Sequence, residues 1–184
     1  MFLYARAPRA IVVRQAQRGH PAARNRGVAV STGEFLSFLD HDDLWEHAKL
    51  EEQLACFRAD PELDLVFGHI QNFFSAELSE EERRRLPVPL APLPGLLQGA
   101  MLARRSSFLA VGPFSEAREM GDFVDWYGRA MILNCRTYMQ PQTVLRRRIH
   151  ETNYQRTHAH LRRLYLPAVK QLLDRRRAAK QTGQ

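Results

Sequence analysis

The sequence predicts an α/β domain, a mostly parallel sheet flanked by helices, followed by a basic C-terminal helix. Three observations predict it. Short β-branched or aromatic runs alternate with segments of helical composition, the pattern of repeated βα units. The densest carboxylate cluster, Asp40-His41-Asp42-Asp43, directly follows one of the strand runs, and α/β sheets bind ligands at strand ends. Charge divides the chain: residues 144–184 carry 11 Lys/Arg against 2 Asp/Glu, while residues 1–143 carry 16 against 18.

Taken in order, Ala10-Ile11-Val12-Val13 is a buried strand by its β-branched run. Pro21 opens a helix over Ala22–Val30, which Ser31-Thr32-Gly33 ends. Glu34–Leu39 reads as a second strand running into the carboxylate cluster. Leu44–Asp60 predicts a helix with Leu50, Leu54 and Phe57 on its apolar face, stopped by Pro61. A third strand lies within Leu63–Phe74. The Glu/Arg block from Glu77 to Arg85 and the prolines at 87, 89, 92 and 94 form an exposed variable loop, 75–95. Leu96–Ala103 is a strand or buried segment, Arg104–Val111 a short helix and Gly112-Pro113 a turn. Met120–Leu133 is a helix with Val124, Tyr127 and Ala130-Met131 at helical spacing, and Tyr138–Leu145 a last strand. From Asn153 a long helix carries an apolar stripe of Leu161, Leu164, Ala168 and Leu172 beside its arginines.

The 184 residues, 45% hydrophobic, suit one domain with an appendage and exclude wholesale disorder. Two cysteines, Cys56 and Cys135, exclude a disulfide scaffold and a multi-cysteine zinc module, and read as reduced, buried thiols. No apolar run approaches a membrane span or a signal peptide, so the expected location is cytoplasmic. The net charge of +7 belongs to the tail, since the body is slightly acidic, and a nucleic-acid reading attaches to the tail alone.

Three carboxylates in four residues repel one another unless solvated or neutralised by a cation. Hard cations such as Mg2+ and Mn2+ take such oxygens together with substrate phosphates. Asp43 before Leu44 would equally cap a helix, and the motif alone leaves both readings open.

The flanking residues extend the pattern. Ala23-Arg24-Asn25-Arg26-Gly27, Gly33-Glu34-Phe35, Leu39-Asp40-His41-Asp42-Asp43, Trp45 and Lys49-Leu50-Glu51-Glu52-Gln53 follow one another in an order that resembles glycosyltransferase family 2, of the GT-A fold. Gly99-Ala100-Met101-Leu102-Ala103-Arg104-Arg105 and Val111-Gly112-Pro113-Phe114 resemble its acceptor-side segment, and Arg146-Arg147-Arg148-Ile149-His150 its closing Arg-x-His segment. The likeness covers about residues 10–153. It implies a metal-dependent, inverting transferase that moves a sugar from a nucleotide-diphospho donor, a UDP-sugar, to a saccharide or lipid-linked acceptor of the cell envelope.

Asp40 and Asp42 would then be the DXD pair, Asp42 the more direct ligand of Mn2+ or Mg2+. Asp43 would support them, Arg24 and Asn25 would lie near the nucleotide, and Gly99 and Arg104 on the acceptor side. His150 would be a further metal or phosphate contact, or equally a surface histidine beside three arginines. The base that deprotonates the acceptor would be Asp122, with Asp125 the alternative, although Asp125 is also placed for an i,i+4 pair with Arg129.

The likeness also implies that the first βα units, about 60 residues in two such units, are missing ahead of Ala10. The expected organisation is a partial GT-A domain over 1–152 and a basic helix and tail over 153–184. An inactive fragment acting as an interaction protein is the second reading, and a basic nucleic-acid-binding protein the third. The helix over 153–180 either packs on the domain or attaches peripherally to anionic lipid on the inner face of the membrane.

Overall fold

The computed structural model describes residues 10–86, 88–117 and 121–150. The predicted helix and tail over 153–184, with their membrane and nucleic-acid readings, lie outside the described residues.

Among the described residues, five helices and six strands follow one another as α1 (Gly19–Val30), β1 (Phe35–Ser37), β2 (Leu44–Trp45), α2 (Lys49–Ala59), β3 (Leu65–Phe74), α3 (Glu80–Arg84), β4 (Leu93–Pro94), β5 (Met101–Arg104), α4 (Arg105–Val111), α5 (Asp122–Ile132) and β6 (Thr137–Ile149). A 3-10 turn, Gln98–Ala100, leads into β5. The sheet runs β1-β5-β3-β6-β2, with β4 on β3.

The α/β class stands, but the sheet is mixed. Among the described residues only β3 and β6 pair in parallel, and the other four pairings are antiparallel. β1, β3 and β6 nevertheless point the same way. The chain returns from the end of β3 through β4 and the 3-10 turn, so β5 enters between β1 and β3 running backwards. Alternation of strand and helix in the sequence is blind to such an insertion.

Side-chain alternation along β3 and β5 divides the core between two faces. Leu65, Phe67, Met101 and Ala103 pack against Phe108 of α4 and Phe123, Trp126 and Ala130 of α5. Val66 and Leu102 point the other way, onto Phe57 of α2 and Leu63. Trp126 is fully buried, stacks on Phe108 with centroids 4.9 Å apart, and donates from Nε1 to the Gly112 carbonyl at 2.9 Å. That anchor fixes α5 one turn beyond Asp122.

Several sequence expectations change. Ala10–Val13 is not a strand; Ile11 and Val12 are exposed, and no strand among the described residues pairs with it. Leu44 and Trp45 belong to a short strand on β6, because Leu44 pairs with Arg146 and Trp45 with Leu145. Helix α2 therefore starts at Lys49, with no side-chain cap, and Asp43 caps nothing. Its buried residues are Lys49, Gln53 and Phe57 at i, i+4 and i+8, and Leu50 is exposed. On α5 Ala130 is buried and Tyr127 packs against the core as the spacing predicts, whereas Phe123 and Trp126, not Val124, complete the inward face. The Glu/Arg block does form a helix, α3, started by a Ser79–Glu82 capping box. Both cysteines are free and half-buried, and burial raises both thiols.

Candidate active site

The carboxylate loop leaves the last residue of β1, crosses to the far edge of the sheet and enters β2. Asp43 N–H closes a turn on the Asp40 carbonyl at 3.2 Å. Around this loop the fold gathers Arg24 from α1, Gln98 from the 3-10 turn, Asp122 from the first turn of α5, and Arg148 and His150 from the end of β6.

Arg24 joins two of the predicted carboxylates. Its guanidinium donates from Nη2 to Asp40 Oδ1 at 2.9 Å and from Nη1 to Asp122 Oδ2 at 3.0 Å. The side chains of Arg24 and Asp122 are only 13% and 15% exposed, that of Asp40 40%. Gln98 Nε2 takes the other oxygen of Asp40 at 3.3 Å.

Asp42 lies on the opposite side of the loop, its Oδ2 3.0 Å from His150 Nε2. Burial pushes the Asp42 carboxyl up, but the His150 hydrogen bond, its own backbone N–H and the nearby imidazoles outweigh that and hold it below the ordinary value. Asp43 Oδ1 accepts the Arg148 amide at 2.9 Å, while Arg148 Nε donates to the Asp42 carbonyl at 3.0 Å. Burial, helped by the charges of Asp42 and Asp40, raises Asp43 to about 6 against the pull of that amide and of Arg147. Asp43 thus ties the loop to β6.

Other predicted residues go elsewhere. Asp125 pairs with Arg129 at 3.2 Å, and Arg129 donates in turn to the Val111 and Pro113 carbonyls, so this pair braces α5 against the preceding loop. Asn25 is spent on the Phe114 backbone, accepting its N–H and donating to its carbonyl, each at 2.9 Å; it clamps α1 to that loop. Arg104 is not brought to the carboxylates. β5 is antiparallel to β1, so Arg104 ends beside Phe35, the first residue of β1, whereas the carboxylates follow the last. There it donates to the Leu63 and Pro61 carbonyls over the Phe35 and Phe57 rings. Gly99 adjoins Gln98, but its own role is packing: a Cβ there would stand 3.0 Å from Leu145 Cδ2.

Gln98, Arg148 and the buried Lys49–Gln53 pair were not assigned roles from the sequence. The i,i+4 spacing of Lys49 and Gln53, aligned with Phe57, was the available signal. Lys49 is 1% exposed; its Nζ donates to Ser37 Oγ at 3.1 Å, to Gln53 Oε1 and to the Met101 carbonyl at 3.3 Å. Burial lowers its pKa from 10.5 to about 7. Between those values the unfolded chain holds a proton that the folded chain has released, so stability rises with pH. Unfolding free energy from urea titrations is expected to be about 1.5 kcal/mol greater at pH 8.5 than at pH 7.0. A flat profile over that interval would show that Lys49 keeps its proton.

The comparisons with known proteins follow this geometry. The sequence model of the family described as glycosyl transferase family 2 matches residues 3–114. Pre-mycofactocin glycosyltransferase of Mycobacterium tuberculosis is 29% identical over 136 residues, a match covering 67% of this chain and 29% of that protein. An uncharacterized glycosyltransferase of Rickettsia bellii is 43% identical over 51 residues, covering 28% of this chain and 7% of its own. The chain therefore spans less than a third of the curated relatives it matches. Among solved structures, S. aureus TarS 1-349 in complex with UDP-GlcNAc superposes with a TM-score of 0.55 at 18% identity, over 77% of this chain and 42% of that one. The same protein in complex with UDP gives 0.51 at 18% identity, over 73% and 41%. These superpositions support a GT-A fold.

Proposed function

The chain belongs to glycosyltransferase family 2, and from that premise we propose that it takes part in transferring a sugar from a UDP-sugar to a hydroxyl of a saccharide or lipid-linked acceptor, with inversion and with a divalent cation. The observation that carries this reading is the Arg24 guanidinium, which holds Asp40 and Asp122 on one cation. A donor-side and an acceptor-side carboxylate thereby share one site. The donor class is supported by the fold neighbour that was solved with UDP and with UDP-GlcNAc.

In this reading Asp122 accepts the proton of the acceptor hydroxyl as its oxygen attacks the anomeric carbon and the bond to the donor phosphate breaks. Asp125, committed to Arg129, stays a brace. Arg24 supplies a fixed positive charge beside the departing diphosphate. The Asp42 carboxylate and His150 imidazole, 3.0 Å apart, form a mixed donor pair that suits Mn2+. Among the described residues no three acidic, His or Cys side chains gather into a cluster ready for a metal, so Asp42 and His150 would hold it with diphosphate oxygens. The cation, when bound, neutralises charge on the leaving diphosphate.

Isothermal titration tests the reading. UDP is expected to bind in Mn2+, and Asp42→Ala is expected to weaken that binding by about tenfold or more, as losing a metal ligand does. The second reading is an inactive, partner-binding chain. Absence of UDP binding with Mn2+ present would favour that second reading over the first.

A further inference from the structure

The three consecutive carbonyls that follow Gln98 are all taken by side chains. Trp45 Nε1 donates to Gly99 O at 3.2 Å, and Gln53 Nε2 to Ala100 O at 2.9 Å. Met101 O accepts from Lys49 Nζ at 3.3 Å and from Ser37 Oγ at 2.8 Å. Three of these donors, Trp45, Lys49 and Gln53, are spaced four residues apart along β2 and α2, and Ser37 is the last residue of β1. Within the comb, Lys49 Nζ sits 5.1 Å from the Trp45 ring centroid, and Lys49 and Gln53 are bonded to each other. Gln53 also donates to Val66 O of the central strand β3 at 3.0 Å.

A buried polar network of this kind is costly unless its groups find partners, and here the Lys49 nitrogen lies within hydrogen-bond reach of three oxygens. Its partners are neutral, so the network holds no ion pair that would justify the burial on electrostatic grounds. What the network does hold is the backbone of the turn that delivers Gln98 to Asp40. We propose that Trp45, Lys49 and Gln53 act as a positioning comb: by fixing the Gly99–Met101 carbonyls they set Gln98 against Asp40, and so tune the donor side of the site without touching a ligand. Lys49 is its central tooth. The consequence for donor binding rests on the UDP-sugar reading given above; the consequence for the turn does not.

Hydrogen exchange on the ligand-free protein separates the two. In Lys49→Met, amides of residues 97–101 are expected to exchange about tenfold faster, while those of β3 and β6 keep the wild-type rate. An unchanged turn overturns the proposal, and so does equal acceleration across the sheet, which marks a general loss of stability. Should Lys49→Met fail to fold, Ser37→Ala removes one neutral acceptor and one donor; the same localised acceleration is expected, and its absence overturns the proposal. UDP affinity in Mn2+ is then compared. Weaker binding in Lys49→Met, restored in part by Lys49→Arg, supports the positioning role, and unchanged binding despite a loosened turn overturns it. If the wild-type protein binds no UDP, the transferase reading fails and the exchange result alone decides the comb.

Discussion

Asp122→Asn is expected to lower kcat by on the order of 100- to 10,000-fold, the usual contribution of a positioned general base, with little change in UDP affinity. The amide keeps the shape of the carboxylate and can still face Arg24, but it cannot take a proton. Asp125→Asn supplies the contrast. It weakens the pair with Arg129, whose guanidinium also holds the Val111 and Pro113 carbonyls, so its effect should fall on stability. The pair is 10% and 25% exposed, and a loss of about 1–2 kcal/mol is expected in urea unfolding, between the values for exposed and buried pairs. Steady-state kinetics of the two variants decide the assignment. If Asp125→Asn loses turnover while Asp122→Asn retains it, the roles are reversed.

The residues legible in the sequence were those whose chemistry is carried by type and order. The motif order that resembles the family singles out Asp40, Asp42 and Asp122, whereas residue type alone leaves the carboxylate cluster open between a helix cap and a metal site. Arg24 is singled out by the Ala23-Arg24-Asn25-Arg26-Gly27 stretch within the same resemblance. Asn25 and Arg104 have residue types that suit ligand binding and backbone bonding equally well. The fold spends them on backbone groups, Asn25 on Phe114 and Arg104 on Leu63 and Pro61, and no local pattern distinguishes a backbone partner from a ligand. The direction of β5 was hidden for a related reason. The apolar run Met101-Leu102-Ala103 reads the same from either end, and the insertion between β1 and β3 depends on pairings distant in sequence. On α2 Phe57 and Leu54 face the core as expected, but Leu50 is exposed, and the polar Lys49 and Gln53 are buried beside them because both find partners inside.

Arg24→Met carries the other large expected effect, and its sign follows from burial. The guanidinium stands between Asp40 and Asp122, and the Asp122 side chain is only 15% exposed. Removing the cation leaves that carboxylate charged, poorly solvated and without its ion-pair partner. Breaking a fully buried pair from one side costs about 3–5 kcal/mol. Asp40 is 40% exposed and recovers part of its hydration, so about 2–3 kcal/mol is expected here. The double variant Arg24→Met/Asp122→Asn tests the cause. It removes the stranded charge as well as the cation, and should be more stable than Arg24→Met alone, although it carries one substitution more. A cavity or packing defect at Arg24 would instead make the two losses add. Urea unfolding of the single and double variants distinguishes these outcomes: strict additivity would mean that Arg24 acts through packing, and recovery would mean that it acts by holding the two carboxylates together.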